Sequence, residues 1–373
     1  MTVKQLELIN FRNYNKQTIN FGEGINILYG QNAQGKTNIL EALYISATGK
    51  SHRTNNYRDL IRHESNGFEV NLTATIAGRD NTISVKYILE RGKYAEINGV
   101  KREKLSDILG TLNMIFFSPE TLEVIKGSPA VRRRFIDIFL CQTNRQYLHF
   151  LKRYNTLIKN KSIALKNEKK DKFGDTIPVW NEQISNYGGK IAYYRMKAIN
   201  ELNAYMKREI KSITGNLEES DMTYKTYCSF AEDADQEFFI SRLSEELIKG
   251  LEKEKHIGQC IYGPHRDDFE ILLNEMSSRQ YCSQGQQRTL ALSLIIAELF
   301  YVENIKGEKP VLLLDDVMSE LDQSRQEYLL KGLMDVQTII TTTDELSYHD
   351  MKNRNIKKFF IEKGIISSKV DLN

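Results

Sequence analysis

Cysteine is scarce in this 373-residue sequence, which contains four cysteines in all. No two of them form a C-x-x-C pair, and this spacing argues against a zinc site. Disulfides belong mainly to oxidising compartments, so we expect four free thiols in a reducing one. The cysteines are Cys141, Cys228, Cys260 and Cys282.

Long apolar runs are also missing. No segment approaches the ~18 consecutive apolar residues that a membrane-spanning helix needs. The first residues, MTVKQLELINFRNY, lack the basic start and apolar run of a signal peptide. We therefore expect a cytoplasmic protein with no membrane partner.

An excess of one charge is the third absence, because 52 Lys and Arg balance 49 Asp and Glu to a net charge of +3. A balance this small permits nucleic-acid binding only if the cations cluster on one surface. Hydrophobic residues make up 40% and charged residues 27%, which is ordinary for a globular protein. The length is enough for one large or two ordinary domains.

A phosphate-binding loop is present at residues 30–37, which read GQNAQGKT. The pattern G-x-x-x-x-G-K-[ST] lies between a predicted strand, 25–29, and a predicted helix, 36–47, and this context is the one that the motif requires. Its glycines let backbone N–H groups face a polyphosphate, Lys36 adds a charge, and Thr37 offers a hydroxyl to Mg²⁺. The candidate nucleotide-binding residues are Gly30, Gln31, Asn32, Ala33, Gln34, Gly35, Lys36, Thr37 and Asn38.

Two aspartates follow an all-apolar run, 311–314, that reads as a strand buried on both faces. Ligands of open α/β sheets bind at the carboxyl ends of the strands. Asp315 is therefore a candidate Mg²⁺ ligand together with Thr37. Asp316 is the candidate catalytic residue, with Lys36, because it is placed to orient or deprotonate the attacking water.

A second candidate anion site is the segment SQGQQR at 283–288, directly before a helical pattern at 290–302. A serine N-cap and a glycine in the first turn leave several backbone N–H groups unpaired. One ATP could use both sites if two subunits shared it, with the serine helix of one closing over the nucleotide of the other. Taken alone, the segment is equally compatible with an ordinary capped amphipathic helix.

The middle of the chain, about 128–215, changes to a helical pattern. Leu148, Leu151, Asn155 and Ile158 step by three and four, and so do Trp180, Ile184, Tyr187, Ile191, Tyr194 and Ala198. Such spacing predicts two helices packed along each other in a short antiparallel arm. We expect an ATPase core lobe at 1–125 plus 300–373, and a helical lobe at 126–299 that also carries the signature segment.

A basic stretch lies within the predicted arm, where residues 152–172 hold eight Lys or Arg and two acids. Such a helix could follow DNA phosphates with little sequence reading, but a solvated helix tip fits the pattern as well. The arginines at 132–134 are consecutive, so they cannot all face one way on a helix. The candidate DNA contacts are Arg132, Arg133, Lys152, Arg153, Lys159 and Lys161.

The order of these motifs resembles the ABC-type ATPase heads of the SMC group, and Ser319, Glu320, Leu321 and Asp322 resemble that group's D-loop. Five segments resemble the RecF family of bacterial recombination mediators. They are NFRNY (10–14), FSPE (117–120) with RRRF (132–135), YGPHRDD (262–268) and SQGQQR (283–288).

The resemblance implies an α/β fold: an ABC-ATPase head with mixed sheets around a P-loop core and a mainly helical second lobe bearing the short antiparallel helical arm. It implies ATP and Mg²⁺ as cofactors and a homodimer that forms on ATP, binds duplex DNA and gap junctions, and separates after slow hydrolysis. The implied protein partners are RecR, RecO and RecA. Arg12 and Asn13 would approach the nucleotide in one subunit, and Ser283, Gln284, Gly285 and Gln286 would reach it from the other.

The sequence departs from the general ABC pattern in three places. Asp316 stands where a glutamate is usual, no glutamine follows the apolar run 114–117, and no switch histidine occurs at 341–344. Because of these departures, the sequence does not identify the residue that senses the γ-phosphate. The shorter Asp316 side chain fits slow turnover.

Two other classes of protein share the phosphate loop. An ATPase subunit of an ABC transporter would carry the glutamine and the histidine that are missing here. A P-loop GTPase would carry an Asn-Lys-x-Asp element, which is missing as well.

Overall fold

The computed structural model describes residues 1–167, 177–318, 321–333, 335–343 and 355–369. The chain divides into two compact units. Unit 1 comprises Met1–Glu123 and Gln284–Asn373, and unit 2 comprises Val124–Ser283. The first border lies two residues from the expected one, whereas the second lies at 283/284 instead of 299/300.

The first part of unit 1 is mostly β-structure. In chain order its strands and its helix are β1 (Thr2–Phe11), β2 (Tyr14–Asn20), β3 (Ile25–Tyr29), α1 (Lys36–Thr48), β4 (Gly67–Ile76), β5 (Arg79–Ile88), β6 (Gly92–Ile97), β7 (Val100–Arg102) and β8 (Met114–Phe117). An antiparallel sheet has the order β2-β1-β4-β5-β6-β7. Alternate residues of β4 are buried, as expected when one face of a sheet covers the core.

The chain then passes into unit 2. Its elements are α2 (Leu122–Lys126, which starts just before the border), α3 (Pro129–Thr143), α4 (Arg145–Asn167), α5 (Ile177–Thr214), β9 (Ser220–Lys225), α6 (Gln236–Lys249), α7 (Leu251–Ile257), β10 (Asp268–Leu273), β11 (Met276–Ser277) and α8 (Ser278–Tyr281). The three strands form a small antiparallel sheet in the order β11-β10-β9.

Helices α4 and α5 run antiparallel to each other. Phe150 near the start of α4 contacts Tyr187 and Tyr194 of α5, and Leu165 near its end shares a cluster with Ile177 at the start of α5. This packing is compatible with the predicted arm, whose turn at 168–176 lies outside the described residues. The predicted stripe of α5 is confirmed at Ile184, Ile191 and Ala198, which are fully buried.

The stripe of α4 differs from the predicted one by about one position. Its most buried side chains are Tyr147, Tyr154 and Lys161, whereas the predicted Asn155 is exposed. The polar tips of the buried residues are satisfied inside the fold, since Tyr154 hydrogen-bonds His265 and Lys161 pairs with a buried glutamate. A count of apolar residues alone could not identify that face.

The second part of unit 1 contains α9 (Gln284–Lys306), β12 (Val311–Asp315), α10 (Gln323–Gly332), β13 (Thr338–Thr342), β14 (Ile356–Glu362) and β15 (Ile365–Lys369). Helix α9 packs on β8 and α10 and is buried along most of its length, so it belongs to the core of this unit rather than to the helical one. A second six-stranded sheet has the order β15-β14-β3-β13-β12-β8, parallel except for β15.

Strands β3, β13 and β12 are buried at every residue, as is usual for parallel strands covered on both faces. They are adjacent and point the same way. The phosphate loop after β3 and the aspartates at the end of β12 therefore meet at one edge of this sheet, as the sequence predicts.

Candidate nucleotide-binding site

The phosphate loop has a backbone that few residues can adopt. Gly30 has φ 146°, Ala33 φ 63° and Gly35 φ 117°. A Cβ atom at Gly30 would lie 2.3 Å from the carbonyl oxygen of Ile361, and one at Gly35 would lie 2.6 Å from the hydroxyl of Tyr14. Both glycines are therefore required by conformation and by space.

Polar contacts from the N-terminal hairpin hold the outside of the loop. The Asn13 amide donates to the carbonyl of Gln34 over 2.9 Å and accepts from the amide of Asn38 over 2.8 Å. The buried hydroxyl of Tyr14 donates to the carbonyl of Gly35 over 3.0 Å. Asn13 thus contacts the loop through protein atoms that shape the cradle, and its predicted approach to the nucleotide stays a prediction.

Lys36 is 7% exposed and curls back into its own loop. Its Nζ donates to the carbonyls of Gly30 over 2.5 Å and Gln31 over 2.8 Å. Burial lowers the pKa of Lys36, and the nearby Asp316 and Asp315 act in the opposite direction. The loop therefore encloses a cation, which fits a ligand that carries several negative charges.

Thr37 and Asp315 join the loop to the acidic strand. The Thr37 hydroxyl donates to Asp315 Oδ1 over 2.9 Å, and the Thr341 hydroxyl donates to the same oxygen over 2.7 Å. Hydroxyl and carboxylate oxygens are ligands that Mg²⁺ accepts, so the pair fits that ion. Thr341 was not predicted to orient Asp315, because the contact depends on the pairing of β12 with β13.

Asp316 takes up a left-handed conformation with φ 52°, and its backbone N–H donates to Thr341 Oγ1 over 2.9 Å. Non-glycine residues in this region are uncommon and concentrate at functional sites. The conformation turns the chain sharply at the end of β12, immediately beside the candidate magnesium ligand.

Arg12 is engaged elsewhere. Its guanidinium makes two hydrogen bonds of 2.8 Å to the fully buried carboxylate of Glu41 on α1 and one of 2.9 Å to the Asp59 carbonyl. A bidentate pair of this kind is rigid. Arg53, which lies close to Glu41, donates to Asn38 at the start of α1 over 3.0 Å. The structure thus pairs Arg12 with Glu41 of α1 and gives Arg53 a contact with Asn38 in the first turn of α1.

The first turn of α9 contains Gln284, Gly285 and Gln286, directly after Ser283. The N–H groups of a first helical turn lack intrahelical partners, so the anion site at this position stays a prediction. In the candidate D-loop, Leu321 is buried and Asp322 caps α10 by accepting from the N–H of Arg325 over 2.9 Å. Ser319 and Glu320 lie outside the described residues.

Two of the candidate DNA contacts are wrong. Arg132 is 6% exposed and makes two hydrogen bonds of 2.7 Å to Asp268, and Lys161 is fully buried in an ion pair with Glu254. A buried, paired cation is not available to a phosphate. Arg133 is half-buried and donates to a backbone carbonyl.

The other three candidates, Lys152, Arg153 and Lys159, are exposed on α4. This 23-residue helix holds six Lys or Arg and no acidic residue. Its DNA contacts stay a prediction, now limited to the outer face of the helix.

The fold and this site define a P-loop nucleotide-binding head of the ABC ATPase type. The family model described as RecF/RecN/SMC N terminal domain matches residues 2–367. The chain is 42% identical over 343 residues to the DNA replication and repair protein RecF of Clostridium botulinum (strain ATCC 19397 / Type A), covering 92% of this chain and 93% of that one. It is 39% identical over 367 residues to the protein of that name from Clostridium acetobutylicum, covering 98% and 99%. The chain belongs to the RecF family.

Solved structures agree. The structure described as the recombination mediator protein RecF-ATP in the RecFOR pathway superposes with a TM-score of 0.92 at 34% identity, covering 99% of this chain and 97% of that one. An Smc head bound to the C-winged helix domain of ScpA gives a TM-score of 0.56 at 17% identity, covering 100% and 98%, which supports the fold alone. Among the described residues, none of the helices combines the length and the apolarity that crossing a membrane requires.

Proposed function

We propose that this chain is an ATP-switched DNA-binding protein of recombinational repair. Two copies close on ATP through two shared sites, bind DNA at gaps or stalled forks, and help RecO and RecR to load RecA. Slow hydrolysis of ATP then releases the dimer. The observation that carries the proposal is the Thr37–Asp315 hydrogen bond of 2.9 Å, which assembles a nucleotide and metal site in a member of the RecF family. A protein that acts with DNA, RecO, RecR and RecA would be located in the cytoplasm.

Within one subunit, the backbone of residues 30–38 and the Lys36 ammonium bind the phosphates. Thr37 and Asp315 would hold Mg²⁺, which neutralises phosphate charge and orients the leaving group when it is bound. Asp316 orients or deprotonates the attacking water. An aspartate is one methylene shorter than the usual glutamate, so its carboxylate is set further from that water and turnover is weak.

The second subunit contributes Ser283, Gln284, Gly285 and Gln286, together with the D-loop residues 319–322. A first helical turn provides N–H donors and a positive dipole end for the γ-phosphate. Each site is therefore incomplete until a partner supplies this turn, so ATP itself stabilises the dimer.

DNA is bound through phosphates on the outer face of α4. The exposed cations of this helix, spread over more than twenty residues, give affinity without sequence reading and a steep dependence on salt. They are Arg145, Lys152, Arg153, Lys159 and Lys166. The alternative of an ABC-transporter subunit is not favoured, since full-length relatives at about 40% identity are repair proteins.

A complementation experiment tests the shared site. The variant Ser283→Arg keeps an intact phosphate loop, and Lys36→Met keeps an intact signature, so each alone lacks both complete sites. Their heterodimer contains one complete site, and the mixture should recover roughly a quarter of the wild-type ATPase rate. Sedimentation with and without ATP, and gel shifts with gapped, duplex and single-stranded DNA, follow assembly and binding. A mixture no more active than its components, or full turnover by a lone subunit, contradicts the proposal.

A further inference from the structure

The first turn of α10 carries an arginine that contacts two other segments of unit 1. Arg325 Nε donates to the hydroxyl of Thr289 on α9 over 2.8 Å. Its Nη1 donates to Asp322, the residue that caps α10 and ends the candidate D-loop. Arg325 therefore links α9, the helix that carries the signature segment, to Asp322 at the end of the candidate D-loop.

Thr289 continues this connection to the signature itself. It is 1% exposed, and its hydroxyl donates to the carbonyl of Gly285, one turn earlier, over 3.0 Å. A threonine hydroxyl has one proton and can also accept, so both bonds form together. An ordered chain of hydrogen bonds thus runs from Gly285 through Thr289 and Arg325 to Asp322.

Gln326, the next residue, contacts two residues that lie between β12 and α10. Gln326 Nε2 donates to the carbonyls of Met318 over 2.6 Å and Leu321 over 3.0 Å. Gln326 thus ties two described residues, Met318 and Leu321, to α10. The first turn of α10 is consequently a common anchor for the signature helix and for the segment that follows Asp316.

We propose that Arg325 is a positioning residue that holds the signature turn and Asp322, the last residue of the candidate D-loop, in one fixed relation, so that both meet a partner's nucleotide together. The inference rests on the shared site proposed above. Arg325 need not touch ATP, because it acts through Thr289 and Asp322. A guanidinium suits this role, since its planar donors fix direction as well as charge.

The test uses the full-length protein and two substitutions that cut the chain at different links. Arg325→Gln removes the guanidinium, and Thr289→Val removes only a hydroxyl. Nucleotide binding by the monomer should stay within about twofold, while the ATP-dependent dimerisation constant should weaken about tenfold or more, the size expected for losing a hydrogen bond to a charged group. Fluorescent-nucleotide titration and sedimentation measure the two quantities.

Three matched variants separate positioning from other effects. Thr289→Ser keeps the hydroxyl and should behave as wild type. Arg325→Lys keeps the charge beside Asp322 without the planar donors, and should stay clearly weaker in dimerisation. Lys331→Gln removes an exposed cation at the far end of α10 and should change nothing. A melting curve for each variant reports whether it folds.

The outcomes distinguish this inference from the proposed function. If the wild type fails to dimerise on ATP, the shared site itself is refuted. If the wild type dimerises and Thr289→Val does so equally well, Arg325 does not position the signature, whatever Arg325→Gln does. Full recovery in Arg325→Lys would assign the effect to the charge on Asp322 alone. Should Arg325→Gln not fold, Thr289→Val and Thr289→Ser decide the matter.

Discussion

The candidate nucleotide site of unit 1 and the interior of unit 2 treat buried charge in opposite ways. At this site, Lys36 is held by backbone carbonyls and Asp315 by two hydroxyls, which are neutral partners. In unit 2, Arg195 is 2% exposed and donates to Asp137 over 2.7 Å and to the Pro264 carbonyl over 2.6 Å. The first arrangement surrounds the charged groups with neutral partners, whereas the second pairs a cation with a carboxylate inside the fold.

The same contrast separates the phosphate loop at 30–37 from the segment at 262–268, although the two motifs are equally conspicuous in the sequence. The segment YGPHRDD at 262–268 contains groups that resemble catalytic ones. The structure places His265 between the hydroxyl of Tyr154, 2.7 Å away, and the carbonyl of Cys260, 3.0 Å away. Asp267 accepts from Tyr224 and Thr226, and burial raises its pKa to about 6. This motif therefore organises the interior of unit 2.

The largest effect is expected for Lys36, whose ammonium group is placed to bind the phosphates. Lys36→Met should lower ATP affinity by more than about a thousandfold, since a buried point charge on the phosphates is removed. Equilibrium dialysis with labelled ATP measures the loss. The control Lys50→Met removes an exposed lysine just after α1 and should bind normally. Retention of tight ATP binding by Lys36→Met would refute the cradle.

Breaking the network of unit 2 should instead cost stability. Arg195→Met leaves the carboxylates of Asp137 and Asp267 without their cation, and removing one partner of a buried ion pair typically costs about 3–5 kcal/mol. Chemical denaturation followed by the fluorescence of Trp180, which lies on α5, reports the loss. Arg208→Met, at an exposed position of the same helix, should cost under about 0.5 kcal/mol. Similar losses in both variants would show that Arg195 is not a special anchor.

The elements around the nucleotide were predictable because their signals are local. The strand at 25–29 and the helix starting at Lys36 have the predicted limits, and the apolar run at 114–117 forms a strand. Contacts between distant segments were not predictable. Arg12 was expected at the nucleotide because its segment resembles one that approaches the nucleotide in related heads, yet its partner Glu41 lies 29 residues away on α1.

The helical arm shows a second reason for error. Charge in a helical sequence looks solvated by default, so Lys161 was grouped with the surface lysines of α4. It is buried because Glu254 lies opposite, and Glu254 also accepts from the N–H of Ile261 over 2.9 Å. That partner lies 93 residues further along the chain. Neither spacing nor composition reveals a pairing that only the folded unit creates.

A smaller effect is expected for Asp316, which is proposed to orient or deprotonate the attacking water. Asp316→Asn should bind ATP and accumulate as a dimer, but turn over about a hundredfold more slowly, because an amide cannot accept the proton. Single-turnover hydrolysis separates this step from binding. The conservative variant Asp316→Glu restores the carboxylate and should turn over at least as fast as wild type. Unchanged turnover in Asp316→Asn would assign the base to another residue.

The smallest effect concerns the acid side of the pH range in unit 2. Burial lowers the pKa of His265 to about 4 from its ordinary 6.5, and its Nε2 faces a carbonyl while its Nδ1 faces the Tyr154 hydroxyl, which suits the neutral ring. Between these two pKa values the unfolded chain binds more protons than the folded one, so stability falls as the pH falls. From pH 7 to pH 5 this histidine alone should cost about 2 kcal/mol.

The variant His265→Gln cannot take up that proton, so its free energy of unfolding should lose about 2 kcal/mol less than that of the wild type over the same pH interval. Chemical denaturation at pH 7 and pH 5 gives the difference, and any loss of stability at pH 7 itself cancels from it. His256→Gln, at an exposed position of α7, should keep the wild-type dependence. Because Lys36→Met leaves the His265 site untouched, it should keep the wild-type dependence too. An equal acid loss in wild type and His265→Gln would mean that His265 is not a buried titrating group, and the contrast would then rest on the buried ion pairs of unit 2, such as Arg195–Asp137.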